Sequence, residues 1–129
     1  MRINRQGQFL PEPDASEPHH VIAMQEISGF DQLDQLLTLA VVRFAAESFA
    51  DGRALSLARQ LRLRGFEGAV ELIGDILPDQ LPMAVAAGID IVEISEAHAA
   101  RCTEAHWREQ ASKTRFGYQR SLGRAESAP

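Results

Sequence analysis

From residue 21 onward the chain repeatedly switches between two hydrophobic periods. VIAMQEI, AVVRFA, AVELIGDI and IDIVEIS are short, apolar, β-branched runs of strand character. Between and after them come GFDQLDQLLTL, a stretch from about Asp51 to Arg64, DQLPMAVAAG ended by Gly88, and EAHAARCTEAHWREQASKTRF, whose apolar residues recur at helical spacing. A chain that alternates in this way buries both kinds of element by laying helices on parallel strands joined through right-handed crossovers. The expected fold is α/β: a four-stranded, mainly parallel sheet of βα units in an open layered arrangement. The phrase AAGIDIVEIS, a glycine cap leading straight into a buried strand, is common in (β/α) barrels, so half of such a barrel is the alternative.

The ends read differently. RINRQGQFL has the pattern of a small hairpin, and PEPDASEPHH that of an exposed linker. RSLGRAESAP reads as a frayed tail. The expected organisation is therefore a hairpin and linker over residues 1–20, a single α/β domain over 21–119 and a flexible tail over 120–129. A length of 129 residues suits one core rather than two.

Several function classes are disfavoured by composition. The net charge of -5 lacks the basic face that phosphate neutralisation needs, so no nucleic-acid partner is expected. Apolar runs are broken by charge or proline well short of the roughly 18 residues of a membrane span, and the first residues lack a secretory apolar core, which makes the cytoplasm the expected compartment. Cys102 is the only cysteine, too few for an iron–sulfur cluster held by this chain alone. A parallel sheet with two edges and incomplete cover also leads us to expect a homo-oligomer.

The candidate site lies where strands hand over to helices. On a helical wheel, Ala54, Leu57, Ala58 and Leu61 form the stripe that packs on the sheet, with Arg59 and Arg62 on the side expected to be solvated. Arg53 stands apart, in the first turn, after a strand, where α/β proteins place ligands and where the helix dipole disfavours a cation. Asp51 has the character of an N-cap, and Gly52 would let a ligand approach the backbone. Ser56 follows one turn on. Gly74 and Asp75 end the third strand on the same rim, and Asp79 and Gln80 open the next helix, where capping of free helical N–H groups is the plainer role for Asp75 or Asp79. Two arrangements fit. Arg53 and the amides after Gly52 could bind an oxyanion, with Asp51 and Asp75 fixing the guanidinium, or the three charged residues could form a purely structural cluster.

Other constellations carry less. His98, Cys102 and His106 are spaced by four, which admits a metal site but fits better a buried cysteine with structural or solvated histidines. No metal is expected. Ser56 has no evident histidine partner in sequence, so a hydrolase triad is unsupported.

From Phe49 onward the chain resembles a bacterial family catalogued as domain of unknown function 934. The resemblance is carried by Phe49, Asp51, Gly52, Arg53, Ser56, Ala58, Arg59, Leu61 and Arg62, then by Gly65, Phe66, Gly68, Gly74, Asp75, Leu77, Asp79, Gln80 and Leu81, with spacing kept. It covers about residues 40 to 119. The chain departs from the family pattern at Ala54 and Leu55, where Gly-Tyr is usual, and at Ala69 and Glu71, where Glu and Arg are usual. The family's description as probable oxidoreductases of sulfite reduction implies a place beside assimilatory sulfate-reduction enzymes.

Six-electron sulfite reduction normally uses a sirohaem coupled to an iron–sulfur cluster, which one cysteine cannot hold, and the glycines do not form a dinucleotide-binding triplet. The cofactor is left open. The expectation is a cytoplasmic accessory or regulatory protein of sulfate/sulfite assimilation without its own redox centre, with sulfite-reduction enzymes as partners. The alternative is a small oxidoreductase, or another α/β enzyme, that binds a flavin or a sulfur oxyanion.

Overall fold

The computed structural model describes residues 1–11, 20–23, 29–45 and 52–121. Its strands are β1 (Arg2–Asn4), β2 (Phe9–Leu10), β3 (His20–Ala23), β4 (Val41–Ala45), β5 (Ala69–Ile73) and β6 (Ile91–Glu93). They form one open sheet in the order β2-β1-β6-β5-β4-β3. β3, β4, β5 and β6 pair in parallel, while β1 lies antiparallel to β6 and β2 antiparallel to β1. Among the described residues the sheet is mixed and has six strands, which corrects the expected count of four. The two additional strands come from the N-terminal hairpin: an open edge at β6 leaves backbone groups unpaired, and β1 fills it in the register Arg2↔Glu93, Ile3↔Val92, Asn4↔Ile91.

Because β3 to β6 add in chain order, right-handed crossovers place every connecting helix on the same face. The strands turn Ile3, Val42, Phe44, Val70, Leu72 and Val92 toward that side, where they form one core with Leu33, Leu57, Leu61 and Trp107. Burying each large apolar side chain contributes about 1.5–3 kcal/mol. The alternation along each strand sends Arg2, Arg43, Glu71 and Glu93 to the opposite face.

Helix α1 (Arg53–Leu63) buries the expected stripe of Ala54, Leu57, Ala58 and Leu61. It ends in a Schellman turn: Gly65, at φ 97°, donates to the Arg62 carbonyl, and Phe66 N donates to Leu61 O. Helix α2 (Leu81–Ala86) ends the same way at Gly88, φ 101°. The segment GFDQLDQLLTL forms a 3₁₀ helix, Phe30–Leu36, rather than an α-helix. Its buried residues are Leu33 and Leu36, one 3₁₀ turn apart, so the tighter winding stacks both on the core.

The last helical segment is two helices, α3 (Glu96–Arg101) and α4 (Glu104–Ser121), rather than one. Cys102 breaks the run with an extended backbone, φ -117° and ψ 104°, and its carbonyl accepts from Trp107 Nε1 at 3.1 Å. The break satisfies the indole N–H of a fully buried Trp107. The hairpin leans on α4: Phe9 N donates to Glu104 Oε2 at 2.8 Å, and a Cβ at Gly7 would come 2.5 Å from the Trp107 carbonyl.

Candidate functional site at the carboxyl rim of the sheet

The rim begins where β4 leads toward α1. Gly52 precedes the helix at φ 71° and ψ 3°, a left-handed conformation that L side chains resist, and its carbonyl accepts the helical bond from Ser56 N at 3.1 Å. A Cβ at Gly52 would meet nothing within 4 Å. Glycine is therefore demanded by backbone conformation, not by the close approach of other parts of the protein. Arg53 is the first helical residue and is exposed, as is Ser56 one turn later. Asp51 lies outside the described residues.

At the end of β5, Gly74 N donates to Glu93 O at 2.9 Å and holds the strand end against β6. Asp75 is exposed and engages Ser95 twice, accepting from its backbone N at 2.6 Å and from its hydroxyl at 2.8 Å. Ser95 in turn is the N-cap of α3, its Oγ accepting from His98 N at 3.2 Å. These bonds hold the Asp75 carboxyl below the usual aspartate value: the backbone N–H of Ser95 contributes most, its hydroxyl next, and His98 and Arg101 add weaker attraction against a small desolvation cost. Asp75 thus supports a helix cap, in keeping with the capping role that its place near a helix start suggests. Ser95 went unnoticed in the sequence, although a serine directly before EAHAAR is an N-cap signal.

Asp79 and Gln80 lie in a 3₁₀ turn, Pro78–Gln80, ahead of α2. Gln80 Oε1 accepts from Leu77 N at 2.7 Å, so this side chain closes its own turn. Asp79 is exposed. Of the candidate residues, Gly52, Arg53 and Ser56 open the helix that follows β4 and Gly74 to Gln80 follow β5, and Asp75 and Gln80 have structural work there.

His98 and His106 lie on separate helices. The break at Cys102 separates His98 on α3 from His106 on α4. His98 is buried, with Nε2 2.6 Å from Ile76 O and its ring edge-on to Trp107 at 6.2 Å between centroids. Among the described residues, no group of three or more His, Cys, Asp or Glu side chains is placed to hold a metal ion.

Two further clusters were missed. On the face of the sheet that the described helices leave free, Glu71, only 3% exposed, accepts from Arg2 Nη2 at 2.7 Å and from Arg43 Nε at 3.1 Å, and Arg43 Nη2 reaches Glu93 Oε1 at 2.8 Å. Residues Arg43, Glu71 and Glu93 each alternate with apolar neighbours in their strands, which marks them as facing away from the core, but their pairing depends on register. At the opposite, amino end of the strands, Arg62 is anchored rather than solvated. It donates to the carbonyls of Gly88, Phe66 and Gly68 and to Asp90 Oδ2 at 2.6 Å, and lies over the Phe66 ring.

No curated protein and no solved structure matches the chain. The model of a family described as bacterial protein of unknown function (DUF934) matches residues 21–128, all but the first residue of the parallel part of the sheet and the helices around it, and the chain belongs to that family.

Proposed function

We propose that the protein is a cytoplasmic accessory or regulatory component of assimilatory sulfate/sulfite reduction, without a redox centre of its own, and that it acts by binding a small oxyanion at the start of α1. The observation that carries the reading is the construction of that helix start. An eleven-residue helix begins after Gly52, which has no side chain to cap it, with Arg53 at the first position and no acidic residue in the first turn. Helix N-termini carry unsatisfied N–H groups and about half a positive charge, and a guanidinium beside them adds a fork of donors suited to sulfite, sulfate or a phosphate. The family's association with sulfate-reduction enzymes makes the sulfur oxyanions the first ligands to try and the sulfite-reduction enzymes the first partners to seek. Self-association belongs to the same reading.

Titration calorimetry with millimolar sulfite, sulfate and phosphate tests the site; no heat with any of the three overturns binding of simple oxyanions. An absorption scan of the purified protein from the near-ultraviolet to the red tests the accessory role, which bound flavin or haem would overturn. Co-purification from cells grown on sulfate as sole sulfur source identifies the partner, and light scattering that gives a strict monomer at high micromolar concentration refutes self-association.

A further inference from the structure

We draw no further inference here: the strongest candidate, the face of the sheet that the described helices leave free, with its Arg2–Glu71–Arg43–Glu93 ion network, carries none because nothing in the structure shows what covers it.

Discussion

At the amino end of β5 and β6 a single arginine finishes the backbone, whereas at their carboxyl end the same task falls to an aspartate, a serine and a glutamine. The difference follows from topology. In a parallel sheet the connecting helices run against the strands, so helix C-termini, with free carbonyls, gather at the amino end, and helix N-termini, with free N–H groups, gather at the carboxyl end. Carbonyls need donors. Arg62 supplies them to Gly88, Phe66 and Gly68, the residues that lead out of α2 and α1, and its remaining bond holds Asp90, which itself accepts from Val70 N at 2.9 Å. N–H groups need acceptors, which Asp75, Ser95 and Gln80 provide. Arg53 places a donor at the donor-rich end, where the proposed oxyanion would be bound.

The contrast breaks most severely at the amino end. Arg62→Ala removes the donors that it supplies to three carbonyls and leaves Asp90, as its cation, only the longer contact from Arg5 Nε, 3.8 Å. Loss of one partner from a charged, hydrogen-bonded pair costs about 3–5 kcal/mol when fully buried. With the Arg62 and Asp90 side chains each 28% exposed, solvent screening brings the expected loss to about 2–3 kcal/mol. Urea denaturation measures it. A loss below about 1 kcal/mol would mean that water replaces the guanidinium readily and that the two ends are not chemically distinct.

Arg62 also shows why sequence reading was good for elements and poor for clusters. The strand–helix alternation, the buried stripe of α1 and the Gly88 cap are local signals, each contained within about a dozen residues. Arg62 falls on the polar side of the wheel, so the local pattern assigns it to water, yet two of its partners, Gly88 and Asp90, lie beyond an entire strand and helix. The Glu71 network is harder still. Arg2, Arg43, Glu71 and Glu93 come from four strands, and only the register that sets Arg43 opposite Glu71 and Arg2 opposite Glu93 makes them meet. At the candidate site the helix start at Gly52 and Arg53 and the strand end at Gly74 and Asp75 were legible, since strand and helix ends can be located from the pattern. That Asp75 serves Ser95 was not, because both flank different strands.

At the carboxyl end, Gly52→Ala tests whether the rim depends on an unusual backbone. A Cβ has room there, so the cost is purely conformational, about 1–2 kcal/mol for a left-handed residue, seen as a lowered urea midpoint. An alanine variant as stable as the parent would mean that the chain relaxes at Gly52, and the start of α1 would lose its defined geometry.

A smaller effect is expected from Asp75→Ala, about 1 kcal/mol at neutral pH, the usual worth of a helix cap and its support. Its pH dependence has a definite sign. The folded-state pKa is depressed, so the carboxylate's stabilisation is present above the unfolded aspartate value of 3.8 and fades as pH falls through the lowered folded value. The stability gap between parent and variant therefore closes on acidification below that range. A gap unchanged down to complete protonation would assign the effect to packing rather than to the bonds from Ser95.

The smallest change in stability is expected at Arg53, and it decides the functional reading. The side chain is exposed, and exposed ion pairs are worth about 0–1 kcal/mol, so Arg53→Ala should shift the urea midpoint little. Anion binding should respond far more, because the variant removes the guanidinium while leaving the α1 amides in place: the affinity for the best of sulfite, sulfate and phosphate should fall by about tenfold or more, as loss of one charge-assisted bond of about 1.5 kcal/mol requires. Arg62→Ala provides the opposite control, a large loss of stability from a residue at the other end of the same helix. If Arg53→Ala lowers stability as Arg62→Ala does and leaves the calorimetric heats untouched, then Arg53 and Arg62 are both structural. The amino and carboxyl ends of the sheet would then differ only in which backbone groups they satisfy, not in whether one of them is left for a ligand.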